Sequence, residues 1–388
     1  MKTGVYVHFP FCRAKCDYCD FFSVPAAPGS GSRISEYVDA LLKETRCHQE
    51  NLSACQVDSI YFGGGTPSMM SSSDIAKIIE EIQTQSMGVD VNAEITLECN
   101  PSDMNPEYIN QCIQAGVNRI TLGLQTINPV HHRFIGRTGR CPDISVLRDF
   151  CSIQGIAHAI DIIAGIPGQD AEEFSDELHQ VLDYSPGHLS LYMLTIEEGT
   201  PLYNRFCANG EWENHQRDVF ETAIKILREY GYRHYEISNF AKPGMKSRHN
   251  MKYWQFDPYI GLGPASHSFF NGERWYNEKD VPAYVQSPCD VFIRDIRSGK
   301  DILVEYLMGA IRLLDGFYLE EIPAKTGATL PDRVYDSIMK LVNEKMLIIE
   351  TDDRGSRVRL SYEGIFYLDD IVYRMVEALL DEGGEINP

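Results

Sequence analysis

Three cysteines crowd into eight residues near the N-terminus, in the run Cys12-Arg-Ala-Lys-Cys16-Asp-Tyr-Cys19. Thiolates spaced C-x₃-C-x₂-C on one short loop can hold three irons of a [4Fe–4S] cube, because such clusters are bound by cysteine sulfur. No fourth ligand follows, so one iron would keep an open position, which a metal centre needs in order to bind and activate a substrate. The competing reading is a structural zinc site with His8 or another residue as fourth ligand, although zinc sites more usually pair two C-x₂₋₄-C halves across a linker. The remaining eight cysteines, Cys47, Cys55, Cys99, Cys112, Cys141, Cys151, Cys207 and Cys289, are scattered. The odd total of eleven cysteines and the absence of a secretory signal pattern argue against a disulfide framework, and most of the scattered ones are expected to be small buried hydrophobes.

Further polar residues gather at regular places. Gly63-Gly64-Gly65-Thr66-Pro67 follows an apolar run, and glycines there let backbone groups approach a ligand closely. Taken singly, such a turn is weak evidence. Glu98 and Gln125 end two further runs, Arg137 follows shortly after, and Asp161 sits inside Ala159-Ile160-Asp161-Ile162-Ile163. An ionised carboxylate in that apolar setting is costly unless something partners it.

The elements that would position these groups alternate. Apolar runs at 4–9, 57–62, 93–98, 119–125, 157–165 and 189–194 read as strands. Helical spacing at 35–48, 74–82, 106–115, 143–154, 171–182 and 215–230 reads as helices between and after them. Strand–helix alternation implies a parallel sheet with crossover helices, in which functional residues collect at the carboxyl ends of the strands. Six units fit a partial barrel of the (β/α)₆ kind. Residues 25–32 read as a mobile loop beside the cysteines. Beyond 240 the pattern weakens: 241–300 is an aromatic-rich connecting segment, and 301–388 alternates short helices with a small hairpin, as in a winged-helix domain.

At this point the chain resembles a known family. Tyr6-Val-His-Phe-Pro-Phe-Cys12 with Cys16, Tyr18-Cys19 and Phe21 is similar to the N-terminal signature of the radical S-adenosylmethionine (SAM) superfamily, in the branch that holds heme chaperones and oxygen-independent coproporphyrinogen III oxidases. The resemblance implies that the open iron chelates SAM, and that Tyr6, Tyr18, Gly64, Gly65, Thr66, Glu98, Gln125, Arg137 and Asp161 contact it. Within the branch, the oxidase pattern has a further cysteine two positions after the third cluster ligand, where this chain has Phe21. His249-Asn250-Met251-Lys252-Tyr253-Trp254 resembles a segment of the chaperones and offers an imidazole and aromatic faces to heme, with His249, Tyr253 and Trp254 as candidate contacts. Ser266-His267 departs from the Ala-His common at the corresponding place in relatives. The implied function is a heme chaperone that binds heme, a cluster and SAM and delivers heme to apo-hemoproteins; the alternative is an oxidative decarboxylase of coproporphyrinogen III.

Composition narrows the partners. A net charge of −21 disfavours a nucleic-acid surface, which needs a basic footprint. No apolar run is long enough for a bilayer, so a cytoplasmic protein is expected. A flavodoxin or ferredoxin as reductant and a homodimeric state complete the expectations.

Overall fold

The computed structural model describes residues 1–26, 31–209 and 215–380. Six strands, β1 (Lys2–Phe9), β2 (Gln56–Gly64), β3 (Val89–Cys99), β4 (Arg119–Gln125), β5 (Ala157–Ala164) and β6 (His188–Met193), pair in sequence order and all in parallel. Alternate residues, among them Val5, Ile60, Leu97, Leu122, Ile160 and Leu189, are buried apolar side chains of the main core, and the residues between them turn to the other face. Helices α1 (Gly31–Cys47), α2 (Ser72–Gln85), α3 (Pro106–Gln114), α4 (Ile144–Cys151), α5 (Ala171–Leu182) and α6 (Gln216–Glu229) follow the strands in turn. Several start on a side-chain cap: the Ser71, Asn105 and Asp170 oxygens accept backbone N–H groups of the first turn. Residues 27–30 of the expected mobile loop lie outside the described residues, and α1 begins at Gly31.

The sheet does not stop where the alternation stops. Beyond β6 it adds β8 (Asn239–Ala241) and β7 (Arg233–Glu236), both antiparallel to their neighbours. On the other edge, β9 (Tyr259–Leu262) pairs in parallel with β1 at Tyr6↔Gly261, and β10 (His267–Phe270), β11 (Glu273–Asn277) and β12 (Phe292–Asp295) extend it antiparallel. Residues 241–300 are therefore largely sheet and helix, including α7 (Arg248–Gln255), rather than a connector. These strands are only three to five residues long and broken by Gly and Pro, which erases a period-2 signal.

A buried carboxylate joins α1 to this extension. Glu44 accepts hydrogen bonds from the Gly263 N–H at 2.8 Å, the Asn277 amide at 2.6 Å and the Tyr284 hydroxyl at 2.5 Å. Cys47 and Cys289 are joined by a disulfide across the same junction, with Cα atoms 6.0 Å apart. That corrects the expectation of free scattered thiols: α1 and the segment before β12 are brought together by fold, 242 residues apart in sequence.

Past residue 298 come α8 (Gly299–Ala310), β13 (Phe317–Tyr318), α9 (Asp332–Asn343), the hairpin β14 (Leu347–Asp352) and β15 (Gly355–Leu360), and α10 (Leu368–Leu380). The three strands form a separate sheet in the order β13-β15-β14. Arg217 on α6 meets Glu363 at 2.8 Å and fastens this part to the barrel. Among the described residues no helix is long and apolar enough to cross a membrane.

Candidate functional site at the mouth of the barrel

The loop leaving β1 and residues of β2 to β6 border one cavity of about 370 Å³, so the sheet curls into a partial barrel around it. Cys12, Cys16 and Cys19 line one wall, on the loop leaving β1. The glycine turn after β2 is pressed against that loop. Gly65 N–H donates to Phe9 O at 2.7 Å and Thr66 N–H to Phe11 O at 2.8 Å. A Cβ on Gly65 would meet the Phe11 carbonyl oxygen at 2.5 Å, which is why this position needs glycine. The Thr66 hydroxyl reaches the Cys12 sulfur at 3.5 Å. Across the loop, Gly136 adopts φ +69°, and any side chain there would collide with the Asp17 carboxylate. Asp17 also accepts an ion pair from Arg205 at 3.1 Å.

The opposite walls are polar. Glu98 on β3 accepts from the Tyr61 hydroxyl at 2.7 Å. Burial, with the Asp161 charge nearby, pushes its carboxyl up to about 7. Burial likewise raises Asp161 to about 6, against the pull of Ser190, Arg119 and Arg137. One Asp161 carboxylate oxygen is buried with no hydrogen-bond partner. Gln125 closes β4 with φ +67°, a left-handed conformation that costs a non-glycine residue energy. Arg137 is held by Asn100 at 3.0 Å and bonds Tyr18, whose phenol burial drives upward.

Of the expected SAM contacts, Tyr18, Gly64, Gly65, Thr66, Glu98, Gln125, Arg137 and Asp161 all border this cavity. Tyr6 does not. Its hydroxyl bonds His8 Nδ1 at 3.1 Å beneath the mouth, and its ring stacks on Tyr61. Tyr61, Asn100, Thr121 and Tyr192 are not singled out by the sequence, although Tyr192 obeys the same strand-end rule, one residue before the end of β6.

The segment offered for heme lies elsewhere. His249 is fully buried, with Nδ1 2.9 Å from the Ser59 hydroxyl and Nε2 2.9 Å from the Tyr253 hydroxyl. Burial lowers its imidazole to about 3, so it stays neutral. Trp254 lies under the Arg312 guanidinium at 4.5 Å. None of the three borders the mouth, and His249 has no ring nitrogen left for iron.

The donor set fits a cluster with SAM beside it. The three thiols are free and share a wall. Yet among the described residues no three His, Cys, Asp or Glu side chains converge to hold a single ion. A cube takes one thiolate per iron and needs no such convergence. Burial raises the Cys16 and Cys19 thiols, Cys19 to about 11, a cost that binding to iron would remove. The orphaned Asp161 oxygen and the Glu98 carboxylate offer acceptors for hydroxyl groups of a ligand.

This fold and this mouth define a radical SAM protein: the sequence profile described as Radical SAM superfamily matches residues 6–181. A solved structure of coproporphyrinogen III oxidase HemN from Escherichia coli, described as a radical SAM enzyme, superposes with a TM-score of 0.80 over 96% of this chain and 89% of that one. At 18% identity it is a likeness of fold. The heme chaperone HemW of Lactococcus lactis is 31% identical over 385 residues, covering 95% of this chain and 98% of the relative. The mitochondrial radical S-adenosyl methionine domain-containing protein 1 of Mus musculus is 32% identical, covering 97% and 88%. The chain belongs to the HemW family of the radical SAM superfamily. Membership implies a [4Fe–4S] cluster and SAM as cofactors.

Proposed function

We propose that the protein is a heme chaperone, carrying heme to apo-hemoproteins with the cluster and SAM in a supporting role. The observation that carries this reading over the oxidase is Phe21, two residues past Cys19. It borders the cavity and is 65% exposed, where the oxidase pattern has a cysteine. End-to-end similarity to proteins named as heme chaperones supports the same choice.

Cys12, Cys16 and Cys19 hold the cluster, whose chemistry when bound is one-electron transfer to SAM. Gly64, Gly65 and Thr66 present backbone to the methionine end. Glu98 and Asp161 accept from ribose hydroxyls, and Gln125 and Arg137 hold the methionine and ribose side. Tyr18 walls the pocket, and Tyr6 supports it from below through His8. The raised Glu98 and Asp161 pair also faces a sulfonium cation favourably once ionised. A flavodoxin or ferredoxin supplies the electron.

Anaerobically reconstituted protein, given heme and coproporphyrinogen III in parallel, tests the choice. The expected result is one heme bound per chain and no vinyl-bearing product. SAM-dependent conversion of coproporphyrinogen III would replace the chaperone reading with the oxidase.

A further inference from the structure

Glu98 is held by a hydroxyl that does not itself border the mouth. Tyr61, on β2, donates to Glu98 Oε1 at 2.7 Å and makes no other hydrogen bond among the described residues. The Gly64 backbone N–H is the second donor. The groups meet where Gly63 carries no side chain: a Cβ there would lie 2.8 Å from Tyr61 Cε1, 3.1 Å from Tyr6 Cε2 and 3.2 Å from Glu98 Oε1. Tyr6 is opposite Tyr61 in the β1–β2 ladder and stacks on it, with ring centroids 6.1 Å apart and 29° between planes. A tyrosine has only two side-chain torsions, so this packing costs little entropy and leaves the hydroxyl aimed at the carboxylate. Glu98 itself is pulled two ways. Burial, and then the Asp161 charge on β5, raise its carboxyl, whereas the Tyr61 and Gly64 donors favour the ionised form. The other titratable groups that face it, Tyr6 on β1, Tyr192 on β6 and Tyr253 on α7, are phenols that burial holds neutral, as it does Tyr61. Among the described residues, Tyr61 is the one side chain that donates to Glu98.

We propose that Tyr61 is a positioning residue of the SAM site: its hydroxyl fixes the Glu98 carboxylate toward the ribose without touching SAM. The inference rests on the reading of Glu98 as a ribose acceptor and adds to the site a residue outside its lining. A carboxylate free to turn about its own torsions would lose that freedom when SAM binds. A donor set on a rigid strand removes the freedom beforehand, so less of the binding energy is spent on ordering. The same bond keeps Glu98 ionisable beside Asp161, which suits a ligand that carries a sulfonium cation.

The test titrates cluster-loaded, full-length protein with SAM, reading the EPR spectrum of the reduced cluster at several pH values on either side of neutrality. Wild type, Tyr61→Phe, Glu98→Ala and the double variant are compared. Tyr61→Phe keeps the ring and its stack on Tyr6 and loses only the hydroxyl. It retains wild-type iron content and needs about fivefold more SAM near pH 7. Its loss shrinks at alkaline pH, because without that donor Glu98 ionises about one pH unit later. In the Glu98→Ala background, Tyr61→Phe adds no more than about a twofold loss, since the hydroxyl acts through the carboxylate. Wild-type affinity in Tyr61→Phe, or losses that multiply in the double variant, would overturn the positioning role while leaving Glu98 at the ribose. So would a loss of the same size at every pH accompanied by a lower melting temperature, which marks a structural hydroxyl. If Glu98→Ala itself binds SAM like the wild type, or the wild type does not respond to SAM, the ribose assignment falls and Tyr61 with it.

Discussion

The mouth of the barrel and its floor bury polar groups in opposite ways. On the floor, Glu94 accepts backbone N–H groups of Arg248 at 3.1 Å and His249 at 3.0 Å, and His249 is bonded at both ring nitrogens. Lys252 on the same helix reaches Asp58 at 2.8 Å. Glu94, His249 and Lys252 thus have partners within the protein, and these contacts fix α7 under the strands. At the mouth, Asp161 keeps an orphaned oxygen, Gln125 sits in strained backbone, and burial raises two carboxylates, Glu98 also through the Asp161 charge. A folded chain tolerates such unpaid polarity where a ligand completes it. The imidazole that reads most like a heme ligand from sequence is thus bonded at both nitrogens within the protein, whereas the strand-end residues expected to contact SAM leave polar groups open.

The largest expected effect lies at the cluster loop. Cys12→Ala, Cys16→Ala or Cys19→Ala should abolish the broad charge-transfer absorption and the roughly four irons per chain of the reconstituted protein. Cys207→Ala and Cys289→Ala should leave both intact. Zinc in place of iron in an anaerobically purified sample would break the assignment of the mouth.

On the floor the loss should be of stability alone. His249→Ala leaves Ser59 and Tyr253 without their shared partner in a closed site, and a loss of about 2–4 kcal/mol in denaturant unfolding is expected. Iron content and SAM affinity should stay at wild-type values in the folded fraction. A Soret change in heme-loaded His249→Ala with unaltered stability would make the floor a ligand site after all.

At the mouth the sign reverses and the effect is smaller. Asp161 and Glu98 titrate higher when folded than in an unfolded chain, so the native state binds more protons between about pH 4 and 7. Stability of the ligand-free protein should therefore fall as pH rises through that window. Asp161→Asn removes the ionisation cost and should stabilise the ligand-free protein at pH 8 by on the order of 1 kcal/mol. Thermal melts at pH 5 and pH 8 check both statements. Destabilisation by Asp161→Asn at pH 8 would place that carboxylate among the satisfied groups of the floor.

Much of this was legible in the chain. The bounds of β4 and α5 match the sequence reading residue for residue, because long periodic runs bordered by caps leave little choice. Cys12, Cys16 and Cys19 and the strand-end set from Gly64 to Asp161 come together because consecutive parallel strands deliver their carboxyl ends to one place. What stayed hidden depends on distant pairing. Nothing local in residues 259–262 says that this short strand enters beside β1. The fate of His249 was also invisible, since Ser59 lies 190 residues away and only packing shows that the ring is closed off. Tyr6 was misplaced for a related reason: strand alternation gives the face of the sheet but not the depth below the mouth.

The contrast is tested most directly by the EPR spectrum of the reduced cluster as SAM is added. The wild type should show a changed spectrum as SAM coordinates the open iron, Asp161→Ala should need about tenfold more SAM for the same change, and folded His249→Ala should titrate like the wild type. A spectrum indifferent to SAM, or equal titrations of the wild type and Asp161→Ala, would contradict the assignment of the mouth.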